Sequence, residues 1–193
     1  MHQACSSGPK FFVFILLYRV LSVTYEGMNF KALKMPKYPV VLIHSARFPA
    51  NVIVREGENL IRTIEFMHSK QLLHMDIKGA NIFLDHTGKW LLGDFGSSCP
   101  FGEVITSSTT SFCKENVIGS NGRPEFDWFM LLVTLIIETL TDKHTFRLHL
   151  YDDDRDKFVS ELKLRGLVLG IANEELRTML FGIINKMGGY FVL

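Results

Sequence analysis

The residues from His74 to Asn81, His-Met-Asp-Ile-Lys-Gly-Ala-Asn, are followed after a short interval by Asp94-Phe95-Gly96. The interval reads as a β-hairpin: an apolar run from Asn81 to Asp85, a turn from His86 to Lys89 that contains Gly88, and a second apolar run from Trp90 to Asp94. A hairpin brings its two flanks side by side, which places Asp76 and Asn81 near Asp94. Two carboxylates and an amide converging on one spot supply the hard oxygen ligands that Mg²⁺ prefers. Phosphoryl transfer from a Mg-nucleotide needs, in addition, a group that orients the attacking hydroxyl.

The elements that must position these groups change character along the chain. Before Gly57, the apolar runs Val20 to Tyr25, Phe30 to Met35 and Val40 to Ile43 are broken by Gly27, Pro36 and Pro39, a strand-like rhythm. After it, helical periodicity dominates. The spacing predicts a helix from Glu58 to Lys70 with Leu60, Ile61, Ile64 and Met67 on one face. Phe126 to Leu140 is apolar nearly all round and predicts a central buried helix. Asn173 caps a further helix whose first turn carries Glu174 and Glu175 and whose inner face is Leu176, Met179, Leu180 and Ile183, with Gly188 and Gly189 after its end. Strands first and helices later imply an α+β chain, divided into residues 1–57 and 58–193. The run from Phe11 to Leu21 is too short to span a bilayer, is interrupted by Arg19 and reads as a buried strand, not a signal-peptide core. Asp152 to Asp154, three consecutive charges, read as a solvated loop.

Composition narrows the partners. The chain has 193 residues, 47% hydrophobic, and its 21 lysines and arginines nearly balance 20 acids. A net charge of +1 gives no electrostatic reason to expect nucleic acid or an anionic membrane. The three cysteines, Cys5, Cys99 and Cys113, have neither the number nor the spacing of a disulfide framework or a zinc site, so a reducing, cytoplasmic setting is expected.

His74 to Asn81 together with Asp94-Phe95-Gly96 resembles the catalytic loop and DFG motif of the eukaryotic protein kinase family. Lys78, two residues after Asp76, resembles the serine/threonine branch. The resemblance implies a protein-kinase-like α+β fold, with a truncated β-rich N-lobe followed by a mainly helical C-lobe. It implies ATP and Mg²⁺, with protein substrates. It makes Asp76 the catalytic base, Lys78 the group that neutralises the transferred phosphoryl, and Asn81 and Asp94 the Mg²⁺ ligands. Asp127 would brace the catalytic-loop backbone from within the core. Cys113-Lys114-Glu115 stands where the family carries its APE motif, with Arg123-Pro124-Glu125 as a competing placement. The hydroxyl run Thr106 to Ser111 lies in the activation segment between, but the usual phosphate-binding arginine beside the histidine is replaced by Met75. A hydroxyl near Thr109 would touch Asp76 and Lys78 from the substrate side.

Upstream, Phe30 to Lys34 resembles the strand whose lysine grips the α- and β-phosphates, so Lys34 is the candidate for that role. No G-x-G-x-x-G precedes it. Only 23 residues, Met35 to Gly57, stand where the family fits a helix of ~11 residues, two strands of ~5, a further short helix and their connections. No glutamate occurs between Met35 and Arg55 to pair with Lys34, and Glu56 falls next to the following helix. Two readings follow: an active serine/threonine kinase with a shortened nucleotide lobe, or a catalytically impaired, pseudokinase-like module that binds and regulates partners, one of which could cover the incomplete N-lobe. Intact Asp76, Lys78, Asn81 and Asp94 favour the first; a small-molecule phosphotransferase is a more distant third.

Overall fold

The computed structural model describes residues 19–34, 38, 40–113, 116–140, 142–151 and 158–188. Strands β1 (Arg19–Tyr25) and β2 (Met28–Lys34) form an antiparallel hairpin in register from Arg19 opposite Lys34 to Tyr25 opposite Met28. Its two-residue turn, Glu26-Gly27, has positive φ at both positions, which suits the right-handed twist of the strands and requires glycine or a residue tolerant of that region. Thr24 and Asn29 bond across one face at 2.7 Å, as do Lys31 and Ser22 at 2.9 Å, while Val23 and Phe30 pair on the other.

The next described strand after this hairpin belongs to a different sheet. β3 (Val40–Val41) adds to a three-stranded antiparallel sheet in the order β3-β5-β6, where β5 is Ile82–Leu84 and β6 is Trp90–Leu92. The hairpin expected around His86 to Lys89 is therefore present, with Ile82 opposite Leu92. The strand read from Val40 to Ile43 stops after two residues. Leu42 to His44 turn as a 3-10 segment because the Leu42 carbonyl is claimed by Ser45 Oγ at 2.6 Å and by Lys143 Nζ at 3.2 Å, and the fully buried Leu42 side chain turns into the core.

Helix α1 runs from Ala50 to Ser69, starting two turns ahead of the Glu58 expected from sequence. Pro49, in extended conformation, is its N-cap, and its carbonyl accepts the first helical N–H groups, from Val52 and Ile53. Gly57, read as punctuation, lies inside the helix, where an added Cβ would stand 2.9 Å from Met179 Sδ; its lack of a side chain allows the close approach of another helix. The buried stripe Ile53, Gly57, Leu60, Ile64 and Met67 keeps helical spacing throughout.

Helix α2 (Pro124–Thr139) is the central buried helix: every residue from Phe126 to Glu138 is buried. Pro124 sits at its first turn, where a missing N–H costs nothing, so Arg123-Pro124-Glu125 belongs to a helix start. Of the competing Cys113-Lys114-Glu115, only Cys113 is among the described residues. Short α3 (Phe146–Leu150) and α4 (Glu161–Gly170) follow, then α5 (Glu174–Lys186), whose first turn is capped by Asn173 Oδ1 accepting the Leu176 N–H at 2.8 Å. The core lies where α1, α2 and α5 pack together beneath the β5–β6 hairpin. Small sheets with a mainly helical remainder bear out the α+β expectation. Among the described residues no helix is long and apolar enough to cross a membrane. Phe11 to Tyr18 and Asp152 to Asp154 lie outside the described residues.

One buried ion pair ties the turn after β3 to this core. Lys143 Nζ lies 2.5 Å from Glu138 Oε2, and the same ammonium donates to Leu42 O and to Ser45 Oγ at 3.2 Å. Burial pushes the Glu138 carboxyl above its ordinary range, and the Lys143 hydrogen bond and charge pull it back. Removing only the lysine leaves a buried charge without its partner, so Lys143→Met should cost about 3–5 kcal/mol. The double variant Lys143→Met/Glu138→Leu should recover most of that loss; urea midpoints of the three chains check it.

Candidate active site

The site is built on a carboxylate in the first turn of α2. Asp127 is fully buried and accepts three hydrogen bonds, each 2.9 Å long: Oδ2 from the His74 N–H, Oδ1 from the Met75 N–H, and Oδ2 from His68 Nε2. This is the bracing role expected of Asp127. Met75 is held at φ +63° with its side chain fully buried, a conformation that costs a non-glycine residue roughly 1–2 kcal/mol. Two backbone donors fixed by one buried carboxylate are what keep the chain there. From the middle of α2, Thr134 Oγ1 reaches the Ile77 carbonyl at 3.2 Å, a second fixed point on the same loop.

His74 links this brace to the following hairpin. Its Nδ1 accepts the Asp76 N–H at 3.3 Å, which leaves the proton on Nε2 to be donated to the Gly93 carbonyl at 3.1 Å. Burial pushes the imidazole below its ordinary value despite the opposing pull of Asp127, the Gly93 carbonyl, Asp76 and Asp94, so the ring is neutral.

Asp76 is the hub of the polar cluster. Its Oδ2 accepts from Lys78 Nζ and from Asn81 Nδ2, both at 2.8 Å, and its Oδ1 accepts from Thr109 Oγ1 at 2.6 Å. Lys78 Nζ also donates to Thr109 Oγ1 at 2.7 Å, closing a ring of three side chains. Asn81 Nδ2 further donates to the Asp76 carbonyl at 2.8 Å. Burial alone would raise the Asp76 carboxyl, but hydrogen bonds from Lys78, Thr109 and Asn81 and the Lys78 charge together hold it below its ordinary value.

Asp94 follows the hairpin. The Gly93 N–H donates to the Asn81 carbonyl at 2.9 Å, so the residues flanking β5 and β6 are joined as the sequence implied. Asp94 adopts the left-handed region at φ +57°, is exposed, and uses Oδ1 to accept the Gly96 N–H at 3.3 Å. Phe95 lies beside the His74 ring, centroids 5.0 Å apart. Asn81 Nδ2 is committed to Asp76, which leaves its amide oxygen as a neutral oxygen donor, and Asp94 carries an exposed carboxylate. One carboxylate and one amide oxygen, with the remaining positions left to phosphate oxygens and water, is a donor set that suits Mg²⁺. Lys34 ends β2 opposite Arg19, and its side chain lies outside what the structure describes.

The activation segment is zipped to the body of the molecule by backbone pairing. β4 (Leu72–Leu73) pairs with β7 (Cys99–Pro100), the Phe101 N–H reaches the Gln71 carbonyl at 3.0 Å, and Gly102 and Ile105 pair with Gly122 and Ser120 at 2.9 Å. Ser108 Oγ lies 3.0 Å from Cys113 Sγ, and Tyr151 Oη donates to the Ser111 carbonyl at 2.9 Å. Burial, first among its causes, pushes the Cys113 thiol up to about 11, so it is an inert, protonated group.

Sequence reasoning missed two contributors. His68 lies on α1 between the rings of Phe101 and Trp128, and nothing in its local pattern marks it. Glu56 was set aside for its place beside the next helix; it lies within α1, and its buried carboxylate accepts the Trp90 N–H at 3.1 Å. A glutamate on an otherwise apolar helical stripe was the available signal.

Comparison with known proteins places this geometry. The family model for the protein kinase domain matches residues 24–178. A casein kinase I homolog of Encephalitozoon cuniculi is 36% identical over 81 residues, covering 40% of this chain and 26% of that protein. A serine/threonine-protein kinase US3 homolog of Cercopithecine herpesvirus 9 is 30% identical over 80 residues, covering 39% of this chain and 23% of that protein. Mitogen-activated protein kinase kinase kinase 3 of Arabidopsis thaliana is 41% identical over 59 residues, covering 31% of this chain and 9% of that protein. The chain thus matches only about a quarter or less of the length of these curated relatives.

The Asp76 cluster carries a pH signature. A carboxyl held below its ordinary value contributes stability that is present above 3.8 and is lost as pH falls through the folded value. Lys78→Ala removes the strongest of the influences that oppose burial. The Asp76 ionisation midpoint, followed by carboxyl NMR, should therefore move upward, and acid-side loss of stability should begin at higher pH than in the unsubstituted chain.

Proposed function

This chain belongs to the protein kinase family, and we propose that it transfers the γ-phosphoryl group of ATP to serine or threonine hydroxyls of protein substrates. The observation that carries the reading is the Asp76 hub: an anionic carboxylate contacted at once by Lys78, Asn81 and the Thr109 hydroxyl. The arrangement keeps Asp76 anionic beside a cationic side chain and a hydroxyl, which is what accepting a proton from a substrate hydroxyl and offsetting phosphoryl charge both need.

In the proposed reaction a substrate hydroxyl approaches Asp76, which stays ionised at neutral pH and accepts the proton. The new bond forms between that oxygen and the γ-phosphorus as the bond to the bridging β–γ oxygen breaks, and ADP leaves with the electron pair. Lys78, already fixed between Asp76 and Thr109, offsets negative charge on the phosphoryl oxygens in transit. Thr109 holds the substrate side of the loop against this pair. Mg²⁺, when bound by Asn81 and Asp94, neutralises the phosphate oxygens. Lys34 is the proposed contact for the α- and β-phosphates. His74, neutral and bonded to Gly93, keeps the loop and the strand leading to Asp94 at a fixed separation.

A second reading, a kinase-like binding module, draws on one observation. No glutamate stands between Lys34 and Arg55, and the first one after them, Glu56, lies in α1 and is committed to Trp90. Phosphate transfer separates the two. The full chain, incubated with Mg-ATP and a degenerate serine/threonine peptide library, should incorporate phosphate, and Asp76→Ala should reduce the rate at least about 10²-fold, the scale of a lost general base. Asp94→Asn should abolish Mg²⁺-dependent transfer. Incorporation that persists unchanged in both variants would assign it to a contaminant and leave the binding module as the function.

A further inference from the structure

We infer that Glu56 is a positioning residue for Asp94, acting through β6; this rests on the phosphotransferase reading above. The carboxylate is 3% exposed. Its Oε2 accepts the Trp90 N–H at 3.1 Å and Asn59 Nδ2 at 3.0 Å, and its Oε1 accepts Arg55 Nε at 2.7 Å. Arg55 is largely exposed, so its ion pair compensates little of the cost of burying the charge. For packing alone an apolar side chain would serve this helical stripe better. What the carboxylate does that an apolar group cannot is satisfy a backbone donor.

That donor matters because of where β6 lies. In the order β3-β5-β6 it is the edge strand, and the Trp90 N–H points away from β5 toward α1. Trp90 itself is 1% exposed, so water does not replace a lost acceptor. Glu56 takes the place of the next strand. The far end of β6 is held by Gly93, bonded to Asn81 and His74, and Asp94 is the next residue. Asp94 is exposed, and among the described residues its side chain bonds only to Gly96 of its own turn, so its place relative to Asn81 follows the placement of β6. With both ends of the strand pinned, the carboxylate stands at a fixed distance from the Asn81 amide; with the Glu56 end released, the strand pivots on Gly93. A displacement of ~1 Å at reacting groups is enough to cost about 10²-fold in rate.

The test compares the full chain with Glu56→Met, which keeps the packing volume and removes the acceptor, and Glu56→Gln, whose amide oxygen still accepts the Trp90 N–H. Glu65→Ala, on an exposed part of the same helix, is the control for general helix weakening. At a temperature where circular dichroism shows every chain folded, Glu56→Met should lower kcat by about 10-fold or more and raise in parallel the half-saturating Mg²⁺ concentration for ATP binding, read by calorimetric titration. Glu56→Gln should recover to within about threefold, because the neutral hydrogen bond replaces most of what the strand needs. Should Glu56→Met not fold, Asn59→Ala, which loosens the aim of the carboxylate, should move the Mg²⁺ requirement partway in the same direction. An active wild type with an unshifted Mg²⁺ requirement in Glu56→Met or, failing its folding, in Asn59→Ala overturns the inference alone, as does Glu56→Gln as impaired as Glu56→Met. A wild type that transfers no phosphate overturns the proposed function and this inference with it.

Discussion

The Asp127 carboxylate is the constraint on which the rest of the site depends. A charge with no solvent exposure is tolerated only because three donors converge on it, and two of those are consecutive backbone N–H groups of the loop it holds. Those two bonds offset the cost of Met75 in the left-handed region. The turn at Met75 in turn sends the His74 ring toward Gly93 and the Asp76 side chain toward Lys78, Asn81 and Thr109. Helix α2 is therefore more than a core element: its first turn supplies the anchor and its middle, through Thr134, a second contact with the same loop.

The loop runs directly into the hairpin that ends at Asp94, and the activation segment brings Thr109, 33 residues after Asp76, back to it. Only the last needs to be ordered separately, and here backbone pairing with Gln71, Ser120 and Gly122 does it. Met75 occupies the position where a guanidinium would collect a phosphate, and it is buried. The hydroxyls of Thr106 to Ser111 that the structure engages contact each other's neighbours, Asp76, Lys78, Ser97 and Cys113. Order in this segment thus comes from hydrogen bonds already made by the unmodified chain.

Much of this was legible in sequence because it is local. The loop from His74 to Asn81, the hairpin and Asp94 lie close in sequence, and a turn of known length fixes their proximity. The nearly all-apolar composition from Phe126 onward announced a buried helix, and Asn173 with two following acids announced the start of another. The misreadings arose where tertiary contact overrides local signals. Gly57 looked like a break and is a contact surface for Met179, which also displaced the expected start of α1. The Val40 strand ends early because Lys143, about a hundred residues away, takes the Leu42 carbonyl. Glu56 looked unplaced because its partner is a backbone N–H, which no sequence pattern displays. His68 was invisible for a different reason: its partner, the Asp127 carboxylate, belongs to another helix 59 residues away.

We propose that Asp76, Asn81 and Asp94 hold Mg-ATP although no G-x-G-x-x-G stands ahead of Lys34. Calorimetric titration of the full chain with ATP, with and without Mg²⁺, tests it most directly. Saturable binding that depends on Mg²⁺ and is lost in Asp94→Asn is expected; absence of binding at millimolar Mg-ATP, or binding indifferent to Mg²⁺ and to that substitution, would contradict it.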